Sequence, residues 1–305
     1  MVIIEDLNTF KADCGYAAAI GFFDGLHIGH KALIGKLKEE ASARGLKTLI
    51  VTFAQHPREL MHASYVPKLL TTKQERIALL EQEGIDICYV IKKNDVFSMS
   101  SAYFLKSVLA AKLNVKYLLV GYDHHFGCDR EKGYDYYKAC GADCGVEVEQ
   151  FGAVSVSDNH LSSSTIRHLI EDGKIDNVNK FLGYNYTIGG TVVHGRSLGK
   201  TIGFPTANVA INDVRKLIPK EGVYSVKVTL EGEKKAYKGV LNIGVRPTFI
   251  NLGSIRTIEV HILKFDGDIY QRKINVEFLK FLRAEEKFDN PQLLARQIEK
   301  DCKNS

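Results

Sequence analysis

The chain has 305 residues, of which 45% are hydrophobic and 25% charged, a mixture typical of folded globular proteins. Its formal net charge of +5 is mild, and no run of about five or six basic residues indicates a nucleic-acid-binding tail. The length exceeds one typical domain and predicts two. Small anionic ligands suit this charge better than DNA or RNA.

No stretch approaches the roughly 18 to 20 apolar residues that cross a bilayer. The N-terminal sequence MVIIEDLNTF lacks the basic and long apolar segments of an export signal. We therefore expect a cytoplasmic protein with no membrane partner, either monomeric or transiently homo-oligomeric. Six cysteines are scattered, and only Cys140 and Cys144 lie close together, without a second pair or flanking histidines. This spacing favours reduced thiols over metal ligands.

The first half of the chain alternates apolar strands with amphipathic helices. Residues 17–20 and 47–53 read as buried strands, and residues 30–44 between them read as a helix that ends at Gly45. The alternation continues with helices at 73–83 and 101–113 and strands at 87–91, 117–121 and 146–151. Such an order predicts a doubly wound α/β sheet with parallel strands.

The turn after the first predicted strand, residues 21–30 (GFFDGLHIGH), has the composition of a phosphate site. Backbone N–H groups at a helix start lie at the positive end of the helix dipole, where a nucleotide phosphate is stabilised. His27 and His30 would project from neighbouring points of the first helical turn, and imidazolium groups there can stabilise charge on a phosphoryl oxygen. The spacing equally suits two exposed polar residues at a helix start, so both interpretations stay open.

Two more polar segments follow predicted strands of this half. His56 and Pro57 lie at the carboxyl end of strand 47–53, the edge at which open parallel sheets bind ligands. Asp123 lies within residues 121–127 (GYDHHFG), after the strand at 117–121. This segment either binds a ribose or base edge or simply turns the chain.

The helix that begins near residue 163 carries hydroxyl groups and an arginine in its first turns. Ser163 or Ser164 is the predicted N-cap, and Arg167 follows. Arginine at a helix start is disfavoured by the dipole, which suggests an anion nearby. A capped surface helix, with Arg167 paired to Glu171, is the alternative.

These segments resemble the motifs of the bacterial FAD synthetases, which belong to the HxGH-type nucleotidyltransferases. The wordings GFFDGLHIGH, GYDHHFG and SSSTIR carry the resemblance, whereas AQHP at 54–57 departs from the usual DPHP. The resemblance implies that His27 and His30 stabilise the α-phosphate transition state and that Ser164, Thr165 and Arg167 hold the ATP triphosphate. The further nucleotide contacts that it implies are Gly21, Phe22, Asp24, Gly25, Asp123 and Phe126.

The second half loses the helical period. Residues 187–194, 223–230, 236–243, 255–263 and 274–282 are β-branched or aromatic runs between turn residues, which predicts a closed antiparallel barrel of five or six strands. Asn290 and Pro291 make an N-cap and N1 pair for a C-terminal helix. We place the domain boundary between residues 183 and 184, with an α/β domain at 1–183 and the barrel at 184–305.

A glycine-rich loop dominates the second half at residues 194–208 (HGRSLGKTIGFPTAN). Its glycines let the backbone approach a phosphate closely, its lysine can offset the charge, and its threonine and asparagine are hard oxygen ligands that suit Mg²⁺. The residues concerned are Gly195, Gly199, Gly203, Lys200, Thr206 and Asn208. It lacks the frame of a Walker A loop, and a glycine-rich turn at the barrel edge is the alternative.

This loop and the segments after it resemble the riboflavin kinases. EGVYSV, LNIGVRPTF, TIEVHILKFDGDIY and FLRAEEKFDNPQLLARQIEKD occur in family order, and Gln271 stands where a glycine is usual. The resemblance implies that Glu259 accepts the proton of the flavin 5′-hydroxyl. It also implies ATP contacts at Gly195, Gly199 and Lys200, Mg²⁺ ligands at Thr206 and Asn208, and flavin contacts at Asn242, Arg246 and Arg283.

Strand alternation gives an independent expectation for this base. On an alternating strand, Ile258 and Val260 face one side while Glu259 and His261 face the other, toward an open site.

Together the two resemblances imply a bifunctional enzyme that uses Mg²⁺ and ATP to convert riboflavin to FMN and FMN to FAD. The alternatives are a riboflavin kinase with a degenerate or regulatory nucleotidyltransferase domain, and a non-catalytic flavin- or RNA-binding protein.

Overall fold

A computed structural model describes residues 1–56, 58–59, 66–92, 99–122, 125–129, 132–152, 155–156, 159–195, 199, 202–247 and 254–305. The side chains at 155–156, 159–160, 246–247 and 254–255 fall outside this description. The chain forms two compact units, Met1–Ser163 and Ser164–Ser305. They divide the chain earlier than the functional boundary at 183/184, which stays a prediction.

A six-stranded parallel sheet forms the centre of the first unit. Its strands are β1 (Val2–Ile4), β2 (Tyr16–Ile20), β3 (Lys47–Phe53), β4 (Ile87–Ile91), β5 (Val115–Gly121) and β6 (Glu147–Phe151). Every residue of β2 and β4 is buried, because both faces of the sheet are covered. The predicted strands of this half and the doubly wound class are confirmed.

Helices cover the two faces of this sheet in pairs. They are α1 (Ile28–Ala43), α2 (Lys73–Gln82), α3 (Ser101–Tyr103, continued by a π-helix at Phe104–Ala110) and α4 (Gly133–Asp143). One apolar cluster packs Leu37 of α1 and Leu80 of α2 against the sheet, and the other packs Val108 and Tyr137. The predicted helix at 101–113 is largely π-helical, since Leu113 N donates to Val108 O at 3.0 Å.

The strand order explains where ligands can bind in the first unit. The order is β1-β4-β3-β2-β5-β6, so β2 is flanked by β3 on one side and β5 on the other. The strand order therefore runs from β2 toward one edge of the sheet and then, from β5, toward the other edge. A switch of this kind opens a crevice at the carboxyl ends of the strands. Residues 21–30 follow β2 and Tyr122 follows β5, so the fold places the start of both motifs at this edge. A short hairpin, β7 (Ser155–Val156) and β8 (Asn159–His160), comes after β6.

The second unit contains a closed barrel of six antiparallel strands in the order β10-β13-β12-β11-β14-β9. Its helices are α5 (Ser163–Glu171, whose first residue belongs to the first unit), α6 (Ile175–Leu182) and α7 (Pro291–Lys303). Its strands are β9 (Thr187–Val193), β10 (Ala207–Ile211), β11 (Gly222–Leu230), β12 (Ala236–Pro247), β13 (Ser254–Ile262) and β14 (Lys273–Arg283). The predicted barrel is confirmed. The first two residues of β10 fall in the predicted loop 194–208, and no strand was predicted there.

Asparagine side chains hold two helices of the second unit: one joins α6 to the barrel, and one caps the start of α7. Asn179 of α6 donates from Nδ2 to Phe278 O at 2.8 Å and accepts from Tyr186 N at 2.7 Å. On α7, the Asn290 side chain accepts from Leu293 N at 2.9 Å, and Pro291 is the first helical residue. The predicted N-cap and N1 pair is therefore confirmed.

Among the residues that the model describes, no helix is long and apolar enough to span a membrane.

Candidate active sites

The turn after β2 is built from left-handed backbone. Phe23, Gly25 and Leu26 have φ values of 56°, 76° and 36°, a conformation that residues with a Cβ adopt at a cost. A single 3₁₀ turn at Asp24–Leu26 follows the strand, and His27 then takes extended backbone and becomes the N-cap of α1. These successive reversals aim the start of α1 at the carboxyl edge of the sheet.

Asp24 holds this turn to a distant segment of the first unit. Its buried carboxylate accepts hydrogen bonds from Leu70 N at 3.0 Å and from Thr71 N at 2.9 Å, and from the Thr71 hydroxyl at 3.0 Å. Gly25 N in turn donates to Thr71 Oγ1 at 3.0 Å. The carboxylate that we predicted for nucleotide binding is therefore directed at residues 70–71.

The two histidines lie in direct contact. Their rings stack with centroids 3.7 Å apart and planes inclined by 16°. His27 Nδ1 accepts from His30 N at 3.3 Å, so a neutral His27 carries its proton on Nε2. The Phe23 ring packs edge-on against His30 at 5.3 Å, and His30 Nδ1 is buried with no hydrogen-bond partner among the described residues.

Burial and the neighbouring His27 hold the pKa of His30 well below its ordinary value. His30 is therefore neutral at neutral pH in the ligand-free protein. The expected imidazolium at His30 stays a prediction for the ATP-bound state, because in the ligand-free protein a charge there would be desolvated and would lie against a second imidazole. A neutral ring stabilises a phosphoryl oxygen as a hydrogen-bond donor until a bound anion raises its pKa.

An arginine that sequence reasoning missed supports the same turn. Arg76 of α2 is buried, donates from Nη2 to Phe53 O at 2.6 Å and lies 4.2 Å from the Phe22 ring centroid. His56 also packs edge-on against Phe22, with the two ring centroids 4.8 Å apart. No sequence signal identifies Arg76, since it sits in the polar helix sequence KQERIALLEQ.

Some of the predicted site residues lie outside the described residues, and others are located only by the helix that carries them. Asp123, Lys200 and the Arg246 side chain lie outside the described residues. Ser164, Thr165 and Arg167 lie on α5. The predicted N-cap at Ser163 or Ser164 is wrong, because the helix already begins at Ser163. The Ser163 hydroxyl instead donates to the Asp24 carbonyl at 3.1 Å.

In the barrel, one cross-strand row brings the predicted kinase residues together. Glu259 on β13 is directly opposite Asn208 on β10 and Asn242 on β12, so the three side chains share one face. Their neighbours Ile258 and Val260 are buried at 5% and 0% exposure. The predicted alternation is confirmed, with Glu259 outside the barrel wall and the aliphatic residues inside.

A cavity of about 540 Å³ covers this outer face. Its polar side includes Thr206, Asn242, Glu259 and His261. Its apolar side is formed by β11, β12 and the inner face of α7, through Val223, Val240, Pro291, Leu294 and Ile298. The cavity thus joins a carboxylate with hydroxyl and amide groups to an apolar part, called the apolar slot below.

The glycine-rich loop comes close to these polar groups. Thr206 donates from Oγ1 to Glu259 Oε2 at 3.4 Å. A Cβ on Gly195 would lie 2.0 Å from Asn208 Nδ2, and one on Gly199 would lie 2.3 Å from Phe204 O. The position of Gly199 therefore requires glycine, whereas a Cβ at Gly195 would require the Asn208 side chain or the loop to move. Oxygen donors of Thr206 and Asn208 beside a carboxylate form a donor set that fits Mg²⁺.

Two of the predicted flavin residues are held by carboxylates that sequence reasoning missed. Asn242 donates from Nδ2 to Glu285 Oε1 at 3.2 Å. Arg283 makes a two-pronged ion pair with Asp301 of α7, with Nη2 2.8 Å from Oδ2 and Nε 3.1 Å from Oδ1. Only folding brings these partners together, so nothing in the local sequence identifies them.

Gln271 occupies a left-handed conformation, with φ of 62°. Its backbone N–H donates to Val192 O at 2.9 Å and so fixes the turn into β14. This geometry explains why glycine is usual at this position in the riboflavin kinases: a residue without a Cβ takes it up at no steric cost.

Comparison with known proteins identifies the family of both halves. Family models for FAD synthetase and riboflavin kinase match residues 9–165 and 182–305. The bifunctional riboflavin kinase/FMN adenylyltransferase of Bacillus subtilis is 37% identical over 286 residues, 93% of this chain and 89% of the relative. The chain belongs to this family. The member from Buchnera aphidicola is 34% identical over 297 residues, 96% of this chain and 94% of the relative.

A solved structure matches the whole fold. The crystal structure of a protein named macrolide-efflux protein, from Streptococcus pneumoniae, superposes with a TM-score of 0.88 at 29% sequence identity. The match covers 99% of this chain and 97% of that one. The family and the fold that the sequence motifs imply are thus confirmed across both halves.

Proposed function

We propose that the chain makes flavin cofactors in two steps. The barrel phosphorylates riboflavin with ATP to give FMN, and the α/β unit adenylylates FMN with a second ATP to give FAD and pyrophosphate. The observation that carries the proposal is the cavity in which Glu259 and Asn242 lie with Thr206 beside the apolar slot, with Asn208 directly opposite Glu259 on the next strand. The conversion named for the family's members supports it.

In the kinase step, Glu259 accepts the proton of the riboflavin 5′-hydroxyl as that oxygen attacks the γ-phosphate. The Thr206 hydroxyl lies 3.4 Å from Glu259, which supports a reacting end of the cavity at this point. Thr206 and Asn208 would hold Mg²⁺, which neutralises phosphate charge during in-line transfer. Gly195 and Gly199 let the backbone approach the phosphates, and Lys200, assigned by its motif, offsets their charge.

Riboflavin lies in the same cavity with its ring in the apolar slot. A flavin ring is flat and largely apolar on both faces, which matches the walls formed by Val223 and Val240 on one side and Leu294 and Ile298 on the other. Asn242, beside Glu259 in the row, is placed to bind the polar ribityl chain. Arg246 and Arg283 are assigned to the flavin by their motifs.

In the adenylylation step, the start of α1 and the histidine pair bind the α-phosphate of ATP. The helix dipole and first-turn N–H groups favour the anion, and His27 donates from Nε2. His30 supports His27 by stacking on it and adds a second donor. The phosphate of FMN is already ionised at neutral pH and attacks without a general base. Ser164, Thr165 and Arg167 hold the triphosphate, as their motif implies.

The proposal also includes a Mg²⁺ requirement, a cytoplasmic location, a monomeric or transiently homo-oligomeric state and a functional boundary at 183/184.

One time course tests the two proposed reactions. The protein is incubated with riboflavin, ATP and Mg²⁺, and FMN, FAD and pyrophosphate are separated and quantified. FMN should appear first, and FAD and pyrophosphate should follow in equal amounts. FMN without FAD would refute the second step, and riboflavin binding without any product would refute both.

A further inference from the structure

An ion pair between half-buried Arg283 and buried Asp301 joins the end of the barrel to α7. Asp301 is 3% exposed and accepts from Arg283 through both oxygens, at 3.1 Å from Nε and 2.8 Å from Nη2. Gln297, one turn earlier on the helix, also donates to Asp301 Oδ1 at 2.9 Å. The remaining guanidinium nitrogen, Nη1, donates to Ala284 O at 3.1 Å. All three nitrogens of Arg283 are thus engaged by the protein itself.

The pair lies at one end of the cavity that contains Glu259. Arg283 and Asp301 both contribute to its lining, together with Leu294 and Ile298 on the inner face of α7. Arg283 is opposite Val223, which is opposite Asn242 in the row that leads to Glu259. The ion pair therefore ties the helical wall of the cavity to the same level of the barrel that carries the reacting groups.

Stability alone does not account for such a pair. Removing two charges from water costs about as much as their attraction returns, and apolar side chains of similar size often stabilise a fold better. A two-pronged arginine–carboxylate pair does fix distance and orientation closely. What it fixes here is the separation between α7 and the barrel wall, which is the width of the apolar slot.

We propose that Asp301 and Arg283 are positioning residues for the flavin, with Asp301 setting the slot width through Arg283. This inference rests on the proposed riboflavin kinase function, and it gives Arg283 a role through α7 in place of the direct flavin contact that its motif implies. Asp301 touches neither the reacting hydroxyl nor the phosphates in this scheme, so its loss should weaken flavin binding and leave ATP binding intact.

The test is Asp301→Asn in the full chain, which keeps the side-chain shape and removes the charge. Steady-state riboflavin phosphorylation is measured with riboflavin varied at saturating Mg-ATP, and then with ATP varied. We expect the KM for riboflavin to rise about tenfold, equivalent to about 1.4 kcal/mol, with kcat and the KM for ATP unchanged. Arg283→Lys, which keeps the charge and loses the fork, should raise the KM for riboflavin less.

Glu299→Gln is the matched control on the same helix. Glu299 pairs with Lys303 at 2.8 Å, and both side chains are exposed, so the KM for riboflavin should stay at the wild-type value. An unchanged KM in Asp301→Asn would overturn the inference. So would a fall in kcat alone, which indicates only a smaller folded fraction.

Riboflavin binding, followed by quenching of its fluorescence without ATP, separates this inference from the proposed function. Weaker binding to Asp301→Asn than to the wild type supports the positioning role even if the wild type forms no FMN. Equal binding to both proteins refutes it even if the wild type is an active kinase.

Discussion

Gly195→Ala tests the most crowded contact of the barrel site. An added Cβ would lie 2.0 Å from Asn208 Nδ2, whereas ordinary contacts begin near 3.4 Å. The loop or the amide must therefore move by about 1.4 Å. A misplacement of about 1 Å near reacting groups costs about 100-fold in rate, which corresponds to about 2.7 kcal/mol in the barrier. We expect kcat for riboflavin phosphorylation to fall by at least this factor.

The assay measures both reactions on the same preparation of Gly195→Ala. FMN adenylylation should keep its wild-type rate, because Gly195 lies in the barrel and His27 in the other unit. Gly189→Ala, on β9 of the same unit, is the matched control: its added Cβ would meet nothing closer than 4.0 Å, so riboflavin phosphorylation should continue normally. A folded Gly195→Ala protein with unchanged kcat would refute the close approach of Gly195 to Asn208.

Gln271→Gly should stabilise the barrel against urea by about 1 kcal/mol. A residue with a Cβ costs about 1–2 kcal/mol in the left-handed conformation, and the higher conformational entropy of glycine in the unfolded chain offsets part of the relief. Gln271→Ala keeps a Cβ and should give no gain. Below pH 6.5 the unfolded chain protonates His30 while the folded chain resists. Unfolding free energy should therefore fall by up to about 1.4 kcal/mol per pH unit, and His30→Gln should remove this slope in urea titrations at several pH values. Asp24→Asn should unfold more easily by about 1–3 kcal/mol and lose FMN adenylylation, whereas retention of both properties would contradict a role for the hydrogen bonds of Asp24 to Thr71 in holding the turn.

The elements with a strong local signal were predictable from sequence. The apolar runs at β3 and β4 have the predicted bounds, and the five long barrel strands differ from prediction only at their ends. The helix α4 was missed because its sequence, GYDYYKACGAD, is poor in helix formers. Gly141 there has a tertiary reason: a Cβ would lie 2.5 Å from Val148 on β6.

The site residues likewise divide into those that a motif identifies and those that only the folded chain brings together. Motif spacing pointed to His27, His30 and Glu259, whose roles stay predictions until the variants are measured. It could not reveal that Asp24 binds Thr71, 47 residues away, or that Asp301 binds Arg283, because only the folded topology joins these partners. Likewise, the spacing of His27 and His30 suggested charged rings, and only the burial of His30 and its stacking on His27 indicate a neutral one.

The two-site claim is tested most directly by crossing two variants over two substrates. Glu259→Gln and His27→Ala are each supplied with riboflavin or with FMN, together with ATP and Mg²⁺, and products are quantified over time. We predict that Glu259→Gln forms no FMN from riboflavin yet converts FMN to FAD at the wild-type rate. His27→Ala should phosphorylate riboflavin normally and stop at FMN. Loss of both activities in either folded variant would contradict two independent sites.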